Sequence, residues 1–543
     1  MQLEGMPVGG LDVAIRDGSL HLVWPEQVDD RLQVRYTRLN FPATQGTTRL
    51  LDVGEAVPRY LRLLSLPDGG FLLLWAARVP GTTPWGLRAL LLDAQATPVG
   101  ESLLLLPPES GVSRFDAVAA SNGDVFLTWA QASPSGIFVA RYHPGDAAFL
   151  VRRHLTDSGE QPAMRVDSDG HLHLVWFNGV EVTYAALDAD GNVLAGPLVA
   201  AQMQLGTGST ASPPVIGLEQ GRVYLLWSIT NRSGLEAGTG YTSYVSFPMD
   251  EAGTASVQRL AISPAEEPPY QRVQTPWPAL TELAAPVPVP MSSDFVLHPA
   301  TLPGEADALG MAVAARQAYR LDAFLQIAVG VLDDGDFQGY AYVSRSQQLS
   351  DEPHLALDGE GYWHVVWREG AFGQRVFYAT NEPQARQKLD ALTPADFLNA
   401  LLEGSLESLT SILLMPIIGF GWLLPGLVVV GLWKLFRDDE SVQQWSSWPA
   451  LLLALGLYQG VKWISLPSMA VYVPFSAWLD IPPAWQTPLQ IAIPAVILGL
   501  SLFVASRVAR RRNPSTVLFY VVTGLVDALC TLAIYGVILL GVY

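Results

Sequence analysis

The chain of 543 residues contains one cysteine and three lysines, Lys388, Lys434 and Lys462. The cysteine, Cys530, stands in an apolar run near the C-terminus, which excludes an intrachain disulfide and any cysteine-based metal centre. Charge is scarce as well. Charged residues make up 15% of the chain and the mean hydropathy is +0.25, high for a wholly soluble protein, so a membrane part is expected. The opening residues, MQLEGMPVGG, have neither the basic stretch nor the apolar core of a secretory signal. Nucleotide-cradling glycine loops, nucleophile elbows and metalloprotease motifs are missing throughout.

The charge that is present is lopsided. Residues 1–390 carry 25 Lys and Arg against 43 Asp and Glu, which accounts for nearly all of the net charge of -19. Such a surface repels phosphate backbones and anionic headgroups, so nucleic acid is not an expected partner.

What the chain does have is an internal repeat. Aligned on one tryptophan, it reads DGSLHLVW ending at Trp24, DGGFLLLW at Trp75, NGDVFLTW at Trp129, DGHLHLVW at Trp176, QGRVYLLW at Trp227 and EGYWHVVW at Trp367. Each copy is an acidic or amide residue, a glycine, then alternating apolar positions closing on Trp. A degenerate seventh copy, DAFLQIAV, keeps Asp322 but has Ala323 for glycine and Val329 for Trp. Alternating runs precede the copies, as at 11–16, 60–66, 311–316 and 354–357. Others follow, as at 32–39, 87–92, 137–142, 180–187, 241–247, 339–343 and 375–379. The pattern predicts a hairpin, a third strand and often a short fourth.

Three to four strands per unit, with the first five Trp residues 51, 54, 47 and 51 positions apart, fit the blade of a β-propeller, and seven copies predict seven blades. One small twisted sheet cannot bury both faces alone, whereas radially stacked sheets cover one another. The Trp residues then serve as apolar wedges, each worth on the order of 2–3 kcal/mol when buried, with ligand stacking as the competing role. The repeat glycines are expected to hold turn backbone at φ > 0.

An acidic residue and glycine leading into a strand and Trp resembles the Asp-box (BNR) repeats of sialidase-like propellers, over about residues 10–380. The acidic residue here directly precedes the glycine, and the Ser and Thr of the Asp-box are mostly missing. The resemblance implies a propeller and, for a sialidase, an arginine triad, a Tyr nucleophile with a Glu partner, and an Asp acid. No FRIP-like motif anchors that triad, so no catalytic position is carried over.

Between Trp227 and Val329 the spacing doubles, and 264–303 is Pro-rich, which argues for a long surface insertion rather than an eighth blade. Its Tyr270, Arg272 and Trp277 are the candidate ligand-binding residues, against the alternative of a loop that only covers the blades. Asp188, Asp190 and Asn192 have calcium-loop chemistry but lack the further acidic ligands of a full site, so a turn is favoured. His171 and His173 share a strand face with no third ligand in view, so strand packing is favoured and no metal or cofactor is expected.

From residue 409 the chain turns to long apolar runs: 409–436, interrupted by Pro416 and Pro425, then 448–466, 489–508 and 516–542, each near the ~20 residues that cross a bilayer. The domains expected are thus a propeller over 1–385, a linker or juxtamembrane helix over 386–408, and a transmembrane part over 409–543. Lys434, Arg437, Arg507, Arg510, Arg511 and Arg512 flank the spans on one side, while 465–490 has no basic residue. The positive-inside rule then places the propeller and the C-terminus outside the cell, with Trp433, Trp445 and Trp448 at the inner interface and Trp478 and Trp485 at the outer. Translocating the propeller without a visible signal implies a removed leader or a mis-assigned start. Lys462 and Asp527 fall at similar depths in the second and fourth spans, an intramembrane charge pair that either holds the helices together or serves a proton or ion path.

The sequence therefore predicts an all-β propeller of about seven blades followed by an all-α bundle of about four transmembrane helices. Its expected role is a non-enzymatic binding or scaffold module at the cell membrane for a glycan, peptide or partner protein. The alternatives are a sialidase-like glycosidase or lyase, and an accessory subunit of a membrane transport or enzyme complex.

Overall fold

The computed structural model describes residues 3, 6–29, 31–40, 46–54, 57–78, 84–146, 148–253, 255–264, 283–319, 322–344, 346, 348–370, 374–389, 394, 398, 401–402, 405, 409, 412–437, 441–466, 469, 473, 482–511 and 515–539. Tyr270, Arg272, Trp277 and Trp478 lie outside them. The chain forms two compact units, one of Met1–Glu266 with Thr275–Ala391, the other chiefly of Leu392–Tyr543.

The first unit is a seven-bladed β-propeller. Its sheets follow the chain: sheet I over 12–51, II over 57–106, III over 112–156, IV over 160–202, V over 209–259, VI over 296–342 and VII over 350–380, all antiparallel apart from a short parallel pairing of Glu305–Ala306 with sheet V. In sheets I to IV the strands lie in chain order from the innermost outward, as in Asp12–Arg16, Ser19–Val28, Arg31–Asn40 and Gly46–Leu51. The six repeat glycines, Gly18, Gly69, Gly123, Gly170, Gly221 and Gly361, have φ between 64° and 105°, a region closed to most side chains, which explains their recurrence between the first and second strands.

Each repeat Trp packs back onto the preceding sheet. Trp75 joins Ala14, Val23 and Val34 of sheet I, Trp129 joins Leu72 and Leu74 of sheet II, Trp176 joins Phe126 and Val139 of sheet III, and Trp227 joins Val175 and Tyr184 of sheet IV. Trp24 closes the circle with Val366 and Tyr378 of sheet VII. None of the six is more than 4% exposed, so none offers a stacking face to a ligand. Sheet VII has three strands, and on its outer strand the Leu3 N–H donates to the Val376 carbonyl at 2.8 Å, so that a residue from the start of the chain completes the last sheet.

Sheet VI corrects the reading of the seventh copy. Its second strand, the one that carries Trp elsewhere, is Leu309–Tyr319, and the segment containing DAFLQIAV is the third strand, Asp322–Asp333. The Trp place falls to Val313, which packs against sheet V, whereas Val329 faces sheet VII. Both strands alternate in the same apolar way, and with no Trp to fix the register the third was mistaken for the second. The innermost strand of this sheet, Val296–Thr301, lies inside the Pro-rich stretch. Its Pro299 is tolerated because the ladder breaks there, between Leu297 and Ala300.

The second unit contains the helices Met415–Phe436, Trp448–Ser465, Pro483–Arg511 and Thr516–Leu539. Within these, Pro416–Phe436, Ala484–Arg510 and Thr516–Tyr535 are long and apolar enough to cross a membrane. Trp448–Ser465 is not among them, since its 18 residues include Tyr458, Gln459 and Lys462.

If the Trp wedge holds neighbouring sheets together, Trp176→Ala should cost about 3–5 kcal/mol, the usual loss for a buried Trp, read as a lowered denaturation midpoint of the full chain.

Candidate functional site

The register of the sheets defines a ring. On each innermost strand one residue pairs with the residue just before the Trp position: Asp12 with Val23, Arg62 with Leu74, Asp116 with Thr128, Ala163 with Val175, Val215 with Leu226, Ala300 with Ala312 and His354 with Val366. The ring is divided. His354, Asp12, Arg62 and Asp116 make a continuous polar arc on sheets VII, I, II and III, and small apolar residues occupy sheets IV, V and VI.

Two residues ahead of the ring position, four of these strands carry a residue in the left-handed region: Tyr60 at φ 54°, Gln161 at 55°, His298 at 53° and Glu352 at 48°. The ladder register shifts at each of them, and Pro162, Pro299 and Pro353 follow three of them. Bulges of this kind re-aim side chains, and left-handed backbone at non-glycine residues is strain found mostly at functional places.

The arc is held by one arginine. Arg62 donates from Nε to Asp116 Oδ1 at 2.7 Å and from Nη1 to Asp12 Oδ1 at 3.2 Å. The second oxygens of the two carboxylates accept backbone N–H groups, Leu63 to Asp12 at 2.7 Å and Met164 to Asp116 at 3.0 Å. Arg165 Nη1 stands 3.7 Å from Asp116 and His354 Nδ1 3.8 Å from Asp12. Burial works against the charge on Arg62, but Asp116 and Asp12 outweigh it and hold its pKa above the ordinary value. Burial pushes the Asp12 carboxyl up, with Arg62 opposing. His354 is driven down to about 3 by burial, with Arg62 and Arg368 adding to the shift, so it is neutral at physiological pH.

Beside the arc, His298 Nδ1 meets Asp351 Oδ1 at 2.6 Å across sheets VI and VII. The same oxygen accepts the Glu352 N–H at 2.8 Å. Glu352 forms an ion pair with Arg368, whose Nη1 donates to the Gly9 carbonyl at 3.2 Å. Burial alone would lower the His298 pKa, but the Asp351 bond and charge, with Glu352, raise it. Burial likewise opposes ionisation of Asp351, and the His298 contact outweighs it and lowers its pKa. The outer nitrogen, Nε2, has no hydrogen-bond partner among the described residues. An imidazole oriented by a carboxylate with its second nitrogen free is equipped to exchange a proton.

The residues singled out from the sequence fare differently. Asp188 Oδ1 accepts the N–H groups of Asp190 and Asn192 at 2.9 and 2.8 Å, and Asn192 Nδ2 donates to Oδ2, so these three residues hold a turn. His171 and His173 do meet, on Asp167 Oδ2 at 3.1 and 3.2 Å, and His173 Nδ1 contacts Tyr184 Oη at 2.7 Å. Ligand atoms of Asp167, Asp169 and His171 lie within 4.8 Å of one another, but Asp167 Oδ1 is already occupied by the N–H groups of Asp169 and His171. The string recurs in sheet VII as Asp358, His364 and Tyr378, which marks it as part of the blade. In both copies the acid that holds the turn stands three residues before the repeat glycine. The acid directly before the glycine, which the sequence pattern emphasised, does not hold it.

In the helical unit, Lys462 Nζ reaches Asp527 Oδ2 at 2.6 Å, and Tyr458 Oη donates to the same oxygen at 2.8 Å. Lys462 and Asp527 are 1% and 0% exposed. Asp527 Oδ1 finds no hydrogen-bond partner among the described residues.

The ring and its neighbours, Asp12, Arg62, Asp116, Arg165, His298, Asp351 and His354, were missed by sequence reasoning. A signal was present: each ring residue stands 12 or 13 positions before its Trp or, in sheet VI, before Val313.

No family model matches the chain, and no curated protein matches it. Among solved structures it is similar to an ulvan lyase, a polysaccharide lyase, at 10% identity over 70% of this chain and 96% of that one, with a TM-score of 0.45. The Trypanosoma rangeli sialidase is 8% identical over 71% of this chain and 56% of its own, with a TM-score of 0.35. A Streptococcus pneumoniae sialidase is 8% identical over 71% and 70%, with a TM-score of 0.37. Likenesses this low speak to neither chemistry nor substrate, and the Asp-box resemblance stays one of turn and strand.

The signs of the shifts set a pH window. The raised His298 contributes stability that is fully present below its ordinary 6.5 and lost as pH rises through its folded value. The lowered Asp351 contributes stability present above 3.8 and lost as pH falls through its folded value. The pair therefore holds sheets VI and VII best between about pH 4 and 6.5. His21, His173, His354 and His364, all lowered chiefly by burial, act oppositely and lose stability as pH falls below 6.5. His298→Gln should consequently lower the melting temperature more at about pH 5.5 than at about pH 8. In the helical unit, Asp527→Asn leaves the Lys462 charge without a counter-charge at a cost of about 3–5 kcal/mol, to be seen as loss of folded protein in membranes.

Proposed function

We propose that the chain is a membrane-anchored protein whose propeller faces outward and binds a glycan, peptide or partner protein at the entrance of its innermost strands. One observation carries this reading: the ring joins a polar arc, His354, Asp12, Arg62 and Asp116, to an apolar arc, Ala163, Val215 and Ala300. A few placed polar groups beside an apolar wall is the composition of small-ligand sites. The arc's carboxylates are engaged by Arg62 and by backbone N–H groups, which favours a fixed binding surface over the free acid and base pair that glycoside hydrolysis requires. The outward orientation rests on the basic residues from Lys434 to Arg512 and the positive-inside rule.

The His298 and Asp351 pair favours a second reading, a glycosidase or lyase with His298 moving the proton. The full chain in detergent, offered a panel of neutral and acidic oligosaccharides, separates the two. Binding without cleavage is the expected result. Cleavage abolished by His298→Ala would overturn it in favour of the enzyme. In intact cells, external protease should cut both a C-terminal tag and an epitope placed in 264–303, and protection of both would invert the orientation.

A further inference from the structure

The helical unit starts before its first long helix, since Leu392–Tyr543 group together. In its leading stretch Leu398, Leu401, Leu402, Ser405, Leu409 and Leu413 are all helical, and Ser405 Oγ donates to the Leu401 carbonyl one turn back at 2.6 Å. Steps of one, three and four residues bring these positions to one side of a helix. That side is open, for the five leucines are 53–77% exposed. In sequence, Asp396, Glu403 and Glu407 keep the same period half a turn out of phase, and no Lys or Arg stands between Lys388 and Lys434.

A leucine stripe about four turns long, with acids in the opposite phase, is the pattern of a helix that keeps one face out of water. What covers that face follows from what comes next. After a turn at Leu414 the chain enters Met415–Phe436, whose 22 residues rise about 33 Å and so fill the ~30 Å hydrocarbon core unaided. The stripe therefore stands where that core ends. Ile417, Phe420, Leu424 and Val428 of the long helix are exposed as well, so open apolar surface continues across the turn. Pro416 has no N–H to bond back across it, which leaves the joint free to bend.

We propose that the helix carrying Leu398, Leu402 and Leu409 lies along the surface of the bilayer, with its leucines in the boundary between headgroups and acyl chains. The proposal rests on the membrane-anchored reading above and adds to it a second attachment, parallel to the membrane rather than across it. Burial of apolar surface drives the contact. A stretch with acids and no base gains nothing from anionic headgroups and is repelled by them, so an uncharged phosphatidylcholine surface is the partner that fits.

Spin labelling of the full chain in phosphatidylcholine vesicles tests it. Single cysteines enter as Leu398→Cys, Leu402→Cys, Leu409→Cys, Glu403→Cys and Glu407→Cys in a Cys530→Ala background, with Leu424→Cys as the reference in the first long helix. Each nitroxide is exposed to oxygen, which concentrates in lipid, and to a water-soluble nickel chelate. Oxygen should relax the labels at 398, 402 and 409 several-fold more than nickel does, and nickel should dominate at 403 and 407. Nickel dominating at the three leucine positions puts the stripe in water and overturns the proposal. Labels there that neither agent reaches put it against protein, whether the propeller or a second copy, and overturn it too. In both cases a Leu424 label that still reports lipid leaves the membrane reading standing, whereas nickel access at Leu424 removes both. Benzoylphenylalanine placed at 402 with Cys530 retained repeats the test without touching the cysteine: photo-crosslinking to lipid is the expected result, and crosslinking to protein overturns it.

Discussion

A small twisted sheet has two apolar faces and can cover neither, and the propeller is shaped by that constraint. Each repeat Trp is buried in the cluster shared with the sheet before it, so six of the seven sheets supply a Trp wedge to their neighbour. The scheme works only if the first and last sheets also meet, which they do through Trp24 against Val366 and Tyr378. Sheet VI is the exception that shows how the constraint can be met differently. With Val313 in the Trp place, it relies on the longest hairpin of the propeller, Leu309–Tyr319 with Asp322–Asp333, which extends the paired length where the wedge is small.

The polar arc lies across the seam of closure. His354 belongs to sheet VII and Asp12 to sheet I, and Arg62 extends the network from Asp12 to Asp116 of sheet III. Sheets I, II and III supply the pairs of Arg62 with Asp12 and Asp116, and His354 of sheet VII joins this network only when the circle is complete. The His298 and Asp351 contact bridges sheets VI and VII in the same way. The candidate site and the closing seam therefore share side chains, and the strained residues His298 and Glu352 are borne where packing from two sheets bears on one strand.

The architecture was legible because its signals are local. Glycine in a left-handed turn, period-two alternation and a closing Trp each act within ten residues, and six copies repeat them, which sufficed for the seven-bladed reading. Sheet VI was misread because the two strands of its hairpin alternate alike, and only pairing partners distant in sequence distinguish Val313 from Val329. The site was harder still. Asp12, Arg62, Asp116 and His354 are of unlike types at equivalent places, so they form no motif. What unites them is register, which becomes readable only once each Trp is taken as a ruler. The Lys462 and Asp527 contact could be anticipated because depth along two helices is a simple count from their ends.

The bond from Leu3 to Val376 also bears on how the protein is made. The first unit cannot complete its circle until almost the whole of it has left the ribosome, because the contact joins residues more than 370 positions apart. The first long helix begins at Met415, shortly after Val376. Completion of the propeller and emergence of the first long apolar helix thus fall close together in synthesis, and a ring still open at that moment would present its closing edge unpaired.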